Sequence, residues 1–262
     1  MAVFAGILGL LFGSFANVAI HRWPEGRSVG QPRRSECPSC RAGIRTIDNL
    51  PVVSWIVLRG CCRDCGTRIS PRYLVVEMLT GLLFGVTLLV HALDPMVPAI
   101  LVFVWSAIVA SLIDLEHRII PNRLTLRLPA VLLVLLLLPT VVEGAWRPLG
   151  RAVIVGVAIP AVMFGLSEAF RLLRGKQGIG MGDVKFAISI GLVVGYLGGW
   201  HIVVFAYATI ISAMVIVVAL LLAHRASLAT RIPFGPYLAI GALIALLLGE
   251  PAVALVQRVL GF

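Results

Sequence analysis

Two aspartates and a set of cysteines are the residues in this 262-residue chain whose types and spacing can do chemistry. Asp114 stands in Ser-Leu-Ile-Asp114-Leu-Glu-His-Arg118, and Asp183 stands in Gly180-Met-Gly182-Asp183-Val-Lys185. Both end or begin long apolar runs, where an ionisable group is costly and is read first as functional. Two carboxyl groups a few ångströms apart cannot both ionise, so they share a proton. One then draws a proton from water while the other donates to a carbonyl oxygen, which hydrolyses a peptide bond without a covalent intermediate. Gly180 and Gly182 let backbone approach closely just before the helix that carries Asp183. Lys185 is expected to pair with Asp183 or with a lipid phosphate. Plainer roles compete: a helix N-cap or an acid in a helix first turn for Asp183, and an i,i+4 pair with Arg118 for Asp114. The two acids together with the glycine run favour the catalytic reading. Glu77 and Glu168 also stand at helix ends, where pairing with loop arginines is expected.

All five cysteines fall between residues 21 and 72. Cys37-Pro-Ser-Cys40 and Cys62-Arg-Asp-Cys65 are two Cys-x-x-Cys turns with 21 residues between them. Each turn aims two thiolates at one point, and two turns complete a tetrahedral Cys₄ zinc site. Gly43 and Gly66 are placed where each knuckle turns back. Cys61 is the odd thiol; as a ligand in place of Cys62 it would spoil the two-residue spacing. Free thiols or two disulfides are the other readings, and disulfides need an oxidising compartment.

The elements that position these residues are membrane helices. The chain is 60% hydrophobic and 13% charged with a mean hydropathy of +1.02. Soluble domains run to about half apolar and about a quarter charged, so a soluble enzyme, a disordered chain and a disulfide-rich secreted module are excluded. Windows of span length mark about eight candidates, roughly 1–20, 73–93, 96–113, 124–142, 151–170, 184–200, 202–223 and 236–260. The fold class is therefore an all-α polytopic membrane protein with a small cytoplasmic loop domain. The domains read as a first span (1–20), a zinc-binding loop domain (21–72) and a seven-helix membrane domain (73–262). Of the 22 Lys and Arg, 19 fall in the segments 21–72, 114–127, 171–185 and 224–233. With eight spans these lie on one side, which the positive-inside rule makes the cytoplasm. Both termini then face outward, and both aspartates reach one cytoplasmic edge. Topology and contact with anionic lipid account for the net charge of +10 without nucleic-acid binding.

Rival peptidase machinery is missing. There is no His-Glu-x-x-His and no Gly-x-Ser-x-Gly. In their order along the chain, several segments resemble the type IV prepilin leader peptidases. These are Gly13-Ser-Phe-Ala-Asn17, the two Cys-x-x-Cys pairs, Asn49-Leu-Pro-Val-Val-Ser-Trp55, Glu77-Met-Leu-Thr-Gly81, Asp114 with Ile120-Pro-Asn122, Gly180-Met-Gly-Asp-Val-Lys185, and Ile232-Pro-Phe-Gly-Pro236. The resemblance implies an aspartyl peptidase of the bacterial inner membrane with Asp114 and Asp183 as its catalytic pair. It implies removal of the basic leader of prepilins or pseudopilins on the cytoplasmic side. It further implies methylation of the new N-terminus from S-adenosylmethionine, and zinc held by Cys37, Cys40, Cys62 and Cys65. The methylation half rests on the resemblance alone. The alternative is an ion- or proton-coupled transporter with the aspartates as ion sites, which predicts an internal repeat and charges near the membrane midplane.

Overall fold

The computed structural model describes residues 1–30, 35–175, 178–223 and 233–260. Arg33, Arg34, Lys176, Arg225 and Arg231, which belong to the loop charges counted above, and Ile232 lie outside the described residues. The described residues form helices α1 Ala2–Arg22, α2 Val53–Val57, α3 Pro71–His91, α4 Val97–His117, α5 Asn122–Thr125, α6 Leu128–Glu143, α7 Trp146–Arg174, α8 Met181–Leu197, α9 Gly199–Leu222, α10 Gly235–Leu247 and α11 Gly249–Leu260, and they contain no strand. Two compact units divide the chain, Met1–Ala92 and Leu93–Phe262, so α3 belongs with α1 and the cysteine loop.

In the first unit α1 and α3 approach until their backbones touch. A Cβ at Gly9 would stand 2.7 Å from Gly81 Cα, and one at Gly13 would stand 2.6 Å from Glu77 Cα. Gly9 and Gly13 form a small-x-x-x-small stripe, the device by which membrane helices gain packing where no hydrophobic force distinguishes protein from lipid. Asn17 ties the pair at one end, its amide donating to Tyr73 O at 3.1 Å. Ser70 opens α3 as an N-cap, accepting from Arg72 N–H at 3.3 Å, with Pro71 in the first helical position.

In the second unit α4 is the central helix. Ile100, Phe103, Val104, Val109 and Ile113 are fully buried, and Phe103 stacks on Phe186 of α8 with ring centroids 6.1 Å apart. Asp114, in the last turn of α4, is itself buried, 5% exposed. α7 and α8 close on each other at Gly191, where a Cβ would stand 2.7 Å from Gly156 Cα. The far end of α8 is held by Arg151, whose guanidinium donates to Gly195 O and Tyr196 O, both at 2.6 Å. These are the carbonyls a helix C-terminus leaves without intrahelical partners.

The expected count of eight spans is not reproduced: the described residues give six, or seven if α10 and α11 form one broken span. Among the described residues six helical segments are long and apolar enough to cross a membrane: α1, α3, α4, Asn122–Glu143, α7 and α9. The single helix expected over 236–260 is instead two, α10 and α11, bent by 103° at their junction. Thirteen residues of α10 rise about 20 Å, short of a hydrocarbon core of about 30 Å. α8, with 17 residues, rises about 26 Å and also falls just short.

Candidate functional site

Asp114 and Asp183 come together in the second unit. Asp114 is 5% exposed and Asp183 8% exposed, and Gly182, beside Asp183, and Gly235, against Asp114, both pack on Ile120. Asp183 occupies the first turn of α8, whose N-cap is Gly180, and its carboxylate accepts the Gly180 backbone N–H. That is the half of a capping box in which the N3 side chain reaches back to the N-cap amide. A Cβ at Gly180 would lie 2.9 Å from Asp183 Oδ2, so only glycine leaves room for the acid to fold back. Upstream, Ser167 of α7 pins the loop through both polar atoms of Ile179, at 3.2 and 3.3 Å. Asp183 Oδ1 is buried with no hydrogen-bond partner among the described residues. Such an oxygen costs free energy unless water, a proton-sharing neighbour or substrate meets it.

Asp114 is held from a third direction. The backbone N–H of Gly235, at the start of α10 and 121 residues away, donates to Asp114 Oδ2 at 3.0 Å. Ile120 is the shared floor: a Cβ on Gly182 would stand 3.2 Å from Ile120 Cβ, and one on Gly235 3.2 Å from Ile120 Cδ1. The chain ends α4 by a left-handed turn at Arg118, φ 56°, whose N–H donates to Asp114 O at 2.9 Å. Arg118 thus meets Asp114 through backbone, and the carboxylate takes the Gly235 amide. Lys185 donates to Asn122 Oδ1 at 2.9 Å, tying α8 to the start of α5. The expected pairing of Lys185 with Asp183 is replaced by this bond.

In the first unit Cys37, Cys40, Cys62 and Cys65 gather their sulfurs within 4.8 Å of one another, and no disulfide forms. Cys37 Sγ and Cys65 Sγ are 3.8 Å apart. A tetrahedral zinc with bonds of about 2.3 Å sets sulfurs about 3.8 Å apart, so the four residues fit the ion. The Thr67 hydroxyl and backbone amide hold the Cys65 thiol down to about 6. Although the Ala42 amide favours the Cys40 thiolate, desolvation and the neighbouring Cys65 and Cys37 sulfurs push Cys40 up to about 12. Four thiolates cannot crowd there without a cation. The knuckles are alike: Cys37 N–H donates to Ala42 O at 2.9 Å, and Cys62 N–H to Thr67 O at 2.8 Å. Their turning residues sit one past the second cysteine, Arg41 (φ 57°) and Gly66 (φ 69°). Gly66 is as expected; Gly43 is not the turning residue and instead bridges Glu36. Cys61 lies outside the cluster, its thiol facing Arg59 O at 3.7 Å.

Glu168 pairs with an arginine of its own helix, Arg171, at 2.6 Å. Glu77 departs from expectation. It is buried, and its Oε2 accepts the Val52 backbone N–H at 2.7 Å instead of an arginine. Gly235 was visible in the Pro-Phe-Gly-Pro run, but no spacing rule links a backbone amide to an acid so far along the chain.

Residues 7–91 match the bacterial peptidase A24 N-terminal domain, and residues 101–223 match the type IV leader peptidase family. A protein of Aeromonas salmonicida named prepilin leader peptidase/N-methyltransferase is 36% identical over 93% of this chain and 89% of its own length. Proteins of the same name from Aeromonas hydrophila and Pseudomonas aeruginosa are 37% and 33% identical, over 93% and 98% of this chain and 89% and 93% of theirs. No solved structure matches the chain significantly.

Proposed function

The chain belongs to the type IV leader peptidase family, and we infer that it is a multi-pass inner-membrane prepilin leader peptidase that also methylates the N-terminus it creates. The observation that carries the hydrolytic half is the buried pair of acids, one with an oxygen that no group among the described residues satisfies. Asp114 and Asp183 are the catalytic residues. Sharing one proton, they hold a water between them; the ionised carboxyl removes its proton as the oxygen attacks the scissile carbonyl, and the protonated one donates to the carbonyl oxygen. Gly180 and Gly182 present bare backbone beside the pair, so an extended substrate segment can lie against it. Gly235 and Lys185 are positioning residues, acting through Asp114 and Asn122. The excess of Lys and Arg in the loops supports placing the site and the cysteine loop in the cytoplasm, where a peptide bond just outside a pilin helix is unwound and reachable.

Cys37, Cys40, Cys62 and Cys65 hold structural zinc, which supplies cross-linking to a loop too small to build its own core. S-adenosylmethionine supplies the methyl group for the second activity. The transporter reading finds no support, since both acids sit in helix end turns. Co-expression with a prepilin tests the inference by gel shift and N-terminal mass. Expected are loss of the leader and a methyl on the new N-terminus, neither of which appears with Asp183→Asn. A substrate that stays uncut by the unaltered chain refutes it.

A further inference from the structure

The apolar segment between the two cysteine turns has no part in hydrolysis or in the sulfur cluster. Ile47 lies in a 3₁₀ turn, Thr46–Asn49, and Leu50 closes it; Val53, Ile56 and Val57 follow in α2. Their steps of three and four put all five on one stripe, and each is between 48% and 72% exposed. The other side of α2 packs inward, where a Cβ at Gly60 would stand 2.8 Å from the Trp55 ring. A stripe of five large apolar side chains is a liability in water and marks a surface that something covers.

The spans beside it set the depth at which the segment lies. α1 runs toward the loop and α3 away from it, and both are long and apolar enough to cross a membrane. Asn17 and the exposed Tyr73 share one level, where the two helices are tied; a tyrosine near the end of a span marks the headgroup region. Glu77 is one turn deeper than Tyr73, about 6 Å, and its Oε2 accepts Val52 N–H at 2.7 Å. Asn49 and Pro51 line a crevice with Leu11 and Ser14 of α1, and Leu11 lies about 9 Å deeper than Asn17. Amphipathic segments that lie in a membrane surface sit about 5–10 Å into the boundary between headgroups and acyl chains. The same depth is held here at some cost. Val52 has φ 63° and ψ −52°, with Val53 N–H donating to Pro51 O at 2.6 Å, the rare positive-φ γ-turn at a β-branched residue. Such strain persists only where surroundings over-determine it, and the Glu77 carboxylate on the Val52 amide does so.

The charge around the stripe is positive. Residues 41–72 hold six arginines and two acids. Both acids are engaged, Asp48 by Arg63 at 2.6 Å and Asp64 by Arg45 at 3.7 Å. Arg59, just after α2, and Arg68, which bridges Cys61, are exposed.

We propose that Ile47, Leu50, Val53, Ile56 and Val57 are seated among the acyl chains of the leaflet at the loop end of α1 and α3, with Arg59 and Arg68 against anionic lipid phosphates. The depth and the positive rim favour lipid over a second copy or a prepilin as the occupant. The cysteine loop is then no free domain. Arg63 of the second cysteine turn grips Asp48 of the 3₁₀ turn, so the seated segment fixes the height of the sulfur cluster at the membrane surface. The proposal rests on α1 and α3 as spans and on neither enzymatic activity.

The test places p-benzoylphenylalanine at Leu50 or at Ile56 of the full-length, zinc-loaded protein and irradiates it in vesicles of phosphatidylcholine with a minority of phosphatidylglycerol. Both positions are exposed, so the packed side of α2 is untouched, and helix content with zinc stoichiometry reports folding. Intact mass should show one phospholipid added at each position, as at Leu82, an exposed residue of α3. Phosphatidylglycerol should be enriched among the adducts, about fivefold for one arginine engaged, and Arg59→Gln with Arg68→Gln should return it to its share of the vesicle. Lipid adducts at Leu82 with none at Leu50 or Ile56 overturn the proposal. A crosslinked pair of chains makes the stripe an interface between copies and overturns it. A prepilin added to the same vesicles that takes the crosslink in place of lipid makes the stripe a substrate-docking face and overturns it too. Adducts in the vesicle's own proportions overturn the contact of the arginines with phosphate.

Discussion

Gly235→Ala should disable leader cleavage while leaving the fold intact. Gly235 N–H is a protein donor to Asp114 Oδ2, at 3.0 Å, and a Cβ there would stand 2.8 Å from the same oxygen. Side chains do not approach that closely, so the carboxylate must swing away. The methyl itself has little slack, because Ile120 Cδ1 would stand 3.2 Å from it. Losing a hydrogen bond to a charged group costs about 1.5–3 kcal/mol. Turning the side chain some 30° off its rotamer adds about 0.5–1.5 kcal/mol. Together these give roughly 2–4.5 kcal/mol, and at tenfold per about 1.4 kcal/mol the cleavage rate should fall by roughly 30-fold to a thousandfold. The position opens a helix, where alanine is a better residue than glycine by about 1 kcal/mol, so the helices should still form with only a modest fall in melting temperature from the lost hydrogen bond. The assay follows single-turnover cleavage of a prepilin by purified enzyme in detergent, beside its melting curve by circular dichroism. Cleavage at the unaltered rate would refute the clamp. A loss of helix content, beyond a modest fall in melting temperature, would show instead that Gly235 serves packing.

Asp114→Asn and Asp183→Asn should each abolish cleavage with the protein still folded, and the double variant should be no worse, because the acids act as one unit; substantial activity in either single variant sinks the aspartyl mechanism. Metal analysis should find about one zinc per chain, lost in Cys37→Ser and Cys65→Ser and retained in Cys61→Ser. Methylation should fall further than cleavage in the two zinc-losing variants, and equal losses would tie both activities to the loop. Zinc retention should weaken as pH falls, since protons compete for the thiolates; it should weaken at higher pH in Thr67→Val, which removes the hydroxyl that holds Cys65 down to about 6. The Arg63 guanidinium keeps the Asp48 carboxyl below its usual range. Its contribution to loop stability is therefore present at neutral pH and lost only as pH falls through that depressed value, so Asp48→Asn should flatten the acid limb of an unfolding curve.

The membrane class, the cysteine knuckles and the two acids were legible because each is a local or compositional signal. Apolar length needs no partner to be read, Cys-x-x-Cys specifies its own turn, and a carboxylate in an apolar run stands out by its cost. The break after α10 also left a mark, Gly249-Glu250-Pro251, but a window average over 236–260 hides three such residues among many apolar ones. Arg41 shows the limit of residue-type reasoning: its φ of 57° matches that of Gly66, yet nothing in an arginine announces a left-handed turn.

Sequence alone settled that this chain is a membrane-embedded protein with one four-cysteine cluster and two acids worth pairing. Only the tertiary structure decided how those groups are held. It brought Gly235 N–H to Asp114, set Ile120 beneath Gly182 and Gly235, left Asp183 Oδ1 without a partner, and turned Glu77 toward a strained backbone amide. The physical reason is that these partners are backbone groups, which every residue carries. A donor common to all positions leaves no trace in residue type, and it becomes specific only when packing brings one of them within bonding distance.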